Sequence, residues 1–558
     1  MAKLLGRKRR THSARMGLLP AGATLISAIE GRDDALAVAV ADGKKGGVRL
    51  SRAQLRAAVG SLAKRLVAAG VKPGDVVSMV QTNTVEFLVS FLAVGQARGV
   101  AAPFNSAYKQ DEFSWYMEDA TTKLLLLPPE GNDRAAAAAE GLAIPAATLE
   151  LVAPAAPGAA PGLRVVEVAA GKAGPRVTSA AAEAAAESDA APPAPEPSDV
   201  ALFLHTSGTT SKPKGVPLSH ANLAASMANI VATYDLGPSD VSYMVMPLFH
   251  VHGLLAGTLA PLAAGGAIVL PVAGRFSASV FWEDCARHGA TFYTAVPTMH
   301  QVLLERAPKD FPKDSPPPLR FIRSCSSSLA PATHAALEET FGVPVLEAYA
   351  MTEAAHQMTS NPLPARGPRK AGSVGKAQGG VSVAILDDAG ALLPQGEVGE
   401  VCIKGANVTK GYINNPKANA EAFTAEGWFR TGDQGRLDEE GYLFLTGRLK
   451  ELINRGGEKI SPLEVDGVLL SHPAVSEAVS FGAPDPKYGE VVAAAVVLRE
   501  GEEGGEELVE AIRAHCAKQL SAFKVPGPGL LFVTDALPKG ATGKVQRRHM
   551  PAAFLGTQ

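Results

Sequence analysis

Thr206 to Gly215 reads TSGTTSKPKG, a stretch that packs phosphate-binding chemistry into one loop. Ser207, Thr209 and Thr210 are among its small hydroxyl residues, beside two glycines and two lysines. Glycine lets backbone N–H groups approach an anion, and lysine offsets its charge. VALFLH before the loop has the apolar run of a buried strand, and Ser219 after it can cap a helix through ANLAASMANI. The usual nucleotide loop, G-x-x-x-x-G-K-[ST], needs a second glycine where Pro213 stands, so that version is excluded.

Around this loop the chain alternates helical and strand-like pieces, which predicts α/β subdomains on parallel sheets. Leu55 to Gly70 has apolar residues at helical spacing, and Asp75 to Gln81 is the strand after it. Further strands are expected in VSYMVMPLF, ATFYTAV, RFIRSC and PVLEAY. Beyond Gly396, GEVCIKG and GYLFLTG predict a small β-rich subdomain, and from about Lys450 a last α+β unit begins. Residues 130–197 are rich in Ala and Pro and read as a loose insertion.

Composition narrows the function. The 558 residues carry 53 basic and 55 acidic side chains, without the basic excess of a nucleic-acid partner. Cys285, Cys325, Cys402 and Cys516 form no C-x-x-C pair, so a reducing, cytoplasmic setting is expected. Leu254 to Gly274 lacks charge, but Pro261, Pro271 and Gly265-Gly266 break it, so no integral membrane segment is expected. The N-terminus, MAKLLGRKRRTHSAR, is basic and acid-free: a solvated tail, or alternatively an organelle-targeting segment. The end, FLGTQ, lacks the peroxisomal S-K-L address.

TSGTTSKPKG resembles the signature of the adenylate-forming superfamily: acyl- and aryl-CoA synthetases, luciferases and peptide-synthetase adenylation domains. Four more segments resemble its motifs in the family's order: EAYAMTE (Glu347 to Glu353), GWFRTGD (Gly427 to Asp433), GRLKELINRGGEKISPLEVD (Gly447 to Asp466) and PKGATGKVQRR (Pro538 to Arg548). The resemblance implies binding of ATP and AMP by Thr206, Ser207, Gly208, Thr209, Thr210, Lys214, Ser326, Ser327, Ser328, Glu347, Ala348, Tyr349, Thr352, Asp433 and Arg448. It implies Thr352 on phosphate and Glu353 on Mg²⁺, a hard cation suited to a carboxylate beside phosphates. Asp433 would accept two hydrogen bonds from ribose hydroxyls. Lys544 would offset charge on an attacking carboxylate and the α phosphate, with His250 beside that centre. The implied organisation is a basic extension at 1–20, a main unit at 21–447, a hinge at 448–450 and a mobile C-terminal unit at 451–558. Lys450 is the hinge position, and Gly456 and Gly457 would let the pantetheine arm of coenzyme A pass.

The implied reaction joins a small carboxylic acid to CoA through an acyl-adenylate, in a monomer or homodimer. The acyl pocket is expected from Val251, His252, Ser326, Met351, Ala355 and His356, with Thr298, Met299 and His300 nearby. That set is polar, which disfavours a fatty acid or a coumarate. It suits a short acid with a second carboxylate, held by donors and by charged histidine. FLHTSGTTSKPKGVPLSH, VMPLFHVHGLLAG, SCSSSLAP and EAYAMTEAAHQMTSNPLP are similar to the oxalate–CoA ligase branch of plants and fungi. Alternatives are a ligase for malonate, 4-coumarate or a fatty acid, or a stand-alone amino-acid adenylation domain. The last would be expected to carry an aspartate soon after MPLFH, and VHGLLAGT has none.

Overall fold

The computed structural model describes residues 22–41, 48–152, 162–168, 192–206, 213–540 and 543–556. Ser207, Gly208, Thr209 and Thr210, and the basic extension, lie outside them. Two large mixed sheets dominate. One has seven strands, running Gly162–Val168, Ala146–Val152, Thr122–Leu127, Val76–Met79, Val100–Pro103, Val200–His205 and Gly215–Ser219. Its centre is parallel and its two outer pairings are antiparallel. The other has nine, with the parallel run Val345–Met351, Phe321–Ser324, Phe292–Ala295, Val241–Tyr243, Ala267–Pro271 and Leu36–Ala41 at its centre.

Helices cover both faces of each sheet, because their buried strands are apolar on both sides. One core spans both sheets through Val85–Gln96 and His220–Tyr234. The first, VEFLVSFLAVGQ, is buried nearly all round. The second starts where expected: Ser219 Oγ accepts from the Asn222 N–H at 3.2 Å. The other face of the nine-stranded sheet packs Phe281, Trp282, Leu303, Leu337 and Phe341 from three further helices.

Ser382–Leu386, Gly399–Lys404, Phe429–Leu437 and Leu443–Arg448 form a four-stranded antiparallel sheet, the small β-rich subdomain. The C-terminal unit is a five-stranded sheet around the long hairpin Val475–Asp485 and Gly489–Leu498. The insertion is not loose throughout. Asp133–Gly141 is helical, and Ala146–Val152 and Gly162–Val168 extend the seven-stranded sheet. Alanine is the strongest helix former, so an Ala-rich run is no guide to looseness. Residues 169–191 lie outside the described set.

The charge-free stretch folds as expected of a buried α/β segment, with one departure. His252–Leu259 is a π-helix, wider than the expected turn of α-helix. Side chains at 253 and 257 would collide with neighbours: a Cβ on Gly253 would stand 2.4 Å from the Pro247 carbonyl oxygen, and one on Gly257 2.6 Å from Met244 Sδ. Thr258 Oγ1 donates to the Gly253 carbonyl at 3.0 Å, five residues back, along the wider turn. Among the described residues no helix is long and apolar enough to cross a membrane.

Candidate active site

The predicted residues gather at the carboxyl ends of the parallel strands of the nine-stranded sheet, where open α/β sheets place ligands. Thr352 and Glu353 follow Val345–Met351, Ser326 follows Phe321–Ser324, and His250 and His252 follow Val241–Tyr243. The phosphate loop is pinned at its neck: the Thr206 N–H donates to the Lys214 carbonyl at 2.9 Å, and the Lys214 N–H to Thr206 Oγ1 at 3.2 Å.

From that neck a chain of contacts runs to the acid of the T-E pair. Lys214 Nζ lies 4.6 Å from the centre of the Tyr412 ring. The Tyr412 hydroxyl donates to Glu353 Oε1 at 2.8 Å. Burial raises the pKa of Glu353, and the Tyr412 bond opposes the shift. Among the described residues no cluster of three or more metal-ligating side chains occurs. One carboxylate still fits Mg²⁺, which keeps waters and takes its other ligands from nucleotide phosphates.

The ribose and lysine positions meet at the junction of the units. Asp433 and Arg448 are paired across adjacent strands, with Arg448 Nε 3.4 Å from Asp433 Oδ1. The Tyr349 hydroxyl donates to Asp433 Oδ2. Lys544 reaches the same place: burial lowers its pKa, the charge of Arg448 lowers it further, and Asp433 and Glu451 oppose. His250 is held down to about 4, by burial first and by the Lys544 charge second. Glu347 lies buried in the strand Val345–Met351, and burial pushes its carboxyl up to about 8.

The acyl side is where the structure corrects the expectation. His252 and His356 stack with ring centres 5.1 Å apart, but neither is charged. Burial holds both well below the ordinary histidine pKa, and the charge of Arg323 adds to it. The cation here is Arg323, 1% exposed in the strand Phe321–Ser324. Its N–H groups meet Tyr234 at 2.8 Å, Thr294 at 3.0 Å, Gln357 at 3.2 Å and His252 at 3.3 Å. All four are neutral, and no acidic side chain pairs with it among the described residues.

Arg323 also sets a tautomer. Guanidinium only donates, so Nε2 of His252 must accept. Thr294 Oγ1 accepts from Arg323 and turns its own proton to the same Nε2, 2.6 Å away. Nδ1 of His252 therefore carries the proton and donates to Ser326 Oγ at 2.9 Å. The Ser326 hydroxyl proton is left to donate onward. Nε2 of His356 is buried with no hydrogen-bond partner.

Three residues of this cluster take left-handed backbone: Ser326 (φ 73°), Ala355 (φ 47°) and His356 (φ 92°). Such strain at non-glycine residues persists only where the surroundings enforce it, and it clusters at functional sites. The Ser226 hydroxyl fixes this segment by donating to the Ala355 carbonyl.

Not every expected residue joins the cluster. Ser327 and Ser328 are exposed. Gly456 and Gly457 lie in the exposed turn between Ile453–Arg455 and Glu458–Ile460, where the Gly456 N–H donates to Tyr488. Lys450 is exposed beyond the strand Leu443–Arg448. His300 is buried in the helix Pro297–Asp310, with Nδ1 3.4 Å from the Tyr293 hydroxyl. Sequence reasoning missed Arg323, Thr294, Gln357 and Tyr412. For Arg323 a signal existed: an arginine inside the apolar run RFIRSC needs a buried partner.

A strand-end site between an α/β main unit and a small C-terminal unit defines an adenylate-forming enzyme architecture. The AMP-binding enzyme family matches residues 28–413, and the AMP-binding enzyme C-terminal domain matches residues 464–544. The chain belongs to the AMP-binding enzyme family. It is 53% identical to an oxalate–CoA ligase of Arabidopsis thaliana over 91% of this chain and 94% of that one. It is 47% identical to an oxalate–CoA ligase of Saccharomyces cerevisiae over 86% and 87%. ATP-bound MatB from Rhodopseudomonas palustris superposes with a TM-score of 0.82 at 32% identity, covering 96% of this chain and 99% of that one.

Proposed function

We propose that this chain is an ATP-dependent oxalate–CoA ligase. One carboxylate of oxalate attacks the α phosphate of ATP, giving oxalyl-adenylate and diphosphate. The CoA thiol then attacks the acyl carbon, giving oxalyl-CoA and AMP. Lys544 offsets the negative charge that gathers in the first step, and neutral His250 lies beside it. Asp433, with Arg448, receives the ribose. Glu353, oriented by Tyr412, would hold Mg²⁺, which neutralises phosphate charge when bound.

The observation that carries the substrate is the floor of the acyl pocket. Arg323 is a buried cation without a counter-charge, and it sits behind a hydrogen-bond relay ending at the Ser326 hydroxyl. His356 offers an unpartnered nitrogen beside it. A fatty acid would leave the Ser326 hydroxyl proton and His356 Nε2 unmet, at a cost of about 1–3 kcal/mol each, and the Arg323 charge unbalanced. The second carboxylate of oxalate meets them. Four buried, unpaired cysteines suit a reducing compartment such as the cytosol.

The test is AMP release with MgATP, CoA and a panel of oxalate, malonate, acetate, octanoate and 4-coumarate. A preference for oxalate is expected. Preference for octanoate or coumarate would keep the two-step chemistry and sink the dicarboxylate floor.

A further inference from the structure

The helix Pro297–Asp310 belongs to the main unit, yet two of its side chains grip the C-terminal unit. Thr298 Oγ1 donates to the carbonyl of Gly543 at 3.1 Å. Three residues on, Gln301 Nε2 donates to the carbonyl of Ser476 at 2.9 Å. Residues three apart share one helix face, so a single face takes both bonds. Gly543 immediately precedes Lys544. A Cβ on Gly543 would stand 3.2 Å from Thr298 Oγ1, and its φ of +79° is left-handed, so the close approach suits glycine.

The two gripped points are themselves tied together. Lys539 pairs at 2.6 Å with Glu477, the neighbour of Ser476. The Gly540 N–H donates to the Lys544 carbonyl at 2.8 Å. One turn beyond Gln301, Glu305 packs near Arg499, Glu477 and Lys539. The same helix begins directly after the strand Phe292–Ala295, whose Thr294 carries the relay to His252. One rigid strand-and-helix element thus bears both the acyl floor and the seat for the catalytic lysine.

We propose that Thr298 and Gln301 are positioning residues that seat the C-terminal unit with Lys544 at the reaction centre, and so serve adenylate formation selectively. The inference rests on the two-step ligation proposed above. Carboxylate and phosphate repel each other only in the first step. Once the adenylate exists, thiol attack on its acyl carbon has no such repulsion for Lys544 to offset.

The experiment compares Thr298→Val, Gln301→Ala and the double variant with the wild type in two half-reactions. Oxalate-dependent ATP–diphosphate exchange reads the first. A single-turnover chase of enzyme-bound adenylate with CoA reads the second. The double variant is expected to lose about tenfold in exchange, on the scale of two net hydrogen bonds, with the chase rate within about twofold. Thr298→Ser, which keeps the hydroxyl, restores the exchange. Equal losses in both half-reactions, or no loss in exchange, overturn the proposal. Trypsin cleavage within 539–548 of the ligand-free protein reads the seating without any substrate: faster cleavage in the double variant is expected, and an unchanged rate counts against it. Should the wild type exchange diphosphate with no acid in the panel, the ligase reading fails, and the cleavage rates still decide the seating.

Discussion

Arg323 Nη1 stands 3.3 Å from Nε2 of His252, and this contact makes the histidine an acceptor; burial keeps the ring neutral, and the Arg323 charge adds to that effect. A protonated imidazole there would set two cations face to face with no intervening acid. The positive charge of this buried cluster therefore comes from a residue that cannot lose it near neutral pH.

That arrangement predicts how Arg323→Gln behaves. At an effective dielectric of about 20, a unit charge ~7 Å from a carboxylate is worth ~2 kcal/mol. The variant is expected to lose about 30-fold or more in kcat/KM for oxalate while its affinity for ATP changes less than about twofold. Steady-state kinetics with each substrate varied measures both. Equal damage to both would assign Arg323 to the fold alone.

Lys544→Ala separates the half-reactions more sharply than the helix variants. Removing a cation aimed at developing charge costs about 10²–10³ in rate. Diphosphate exchange should fall by that factor, with the CoA chase of preformed adenylate nearly unchanged. A parallel fall in the chase would mean that Lys544 serves both steps.

Tyr412→Phe tests the carboxylate of the T-E pair. The hydroxyl at 2.8 Å orients Glu353 Oε1, and removing such an outer partner typically weakens a metal about 10–100-fold. The Mg²⁺ concentration for half-maximal diphosphate release should rise about tenfold. An unchanged Mg²⁺ titration would move the metal away from Glu353.

Stability should fall on the acid side. Burial holds His220 and His250 down to about 4 and His300 to about 3, so the unfolded chain binds these protons first as pH falls. Their stabilisation is complete above about pH 6.5 and is lost between there and pH 4, by roughly 3 kcal/mol for fully buried His220. Glu347 runs the other way. Its carboxyl is raised to about 8, so its contribution is full below the unfolded value and is lost as pH rises through 8. Thermal melts from pH 4 to 8.5 should show a steep acid limb and a shallow alkaline one, and Glu347→Gln should flatten the alkaline limb and steepen the acid limb above about pH 4.5.

Motifs survive in sequence because each is a short local segment whose residue types carry their own chemistry. TSGTTSKPKG, EAYAMTE and GWFRTGD carried the family resemblance, and with it the expectation of a phosphate loop, a metal acid and a ribose acid, without help from the rest of the chain. The alternation of helix and strand announced the α/β class for the same reason, since periodicity is a local property. The Ala-rich composition of Asp133–Val152 misled, because composition says nothing about which sheet edge a segment finds.

From sequence alone came the family, the order of its parts, and the expectation of a polar acyl pocket for a small acid. Only the tertiary structure decided which residue there bears charge and which proton sits on which nitrogen. His252 and Arg323 are 71 positions apart, His252 and Ser326 are 74 apart, and Thr298 and Gly543 are 245 apart. Contacts at such separations depend on the order and register of sheet strands and on the docking of two units. Charge state follows from burial and neighbours, which do not exist until the chain has folded.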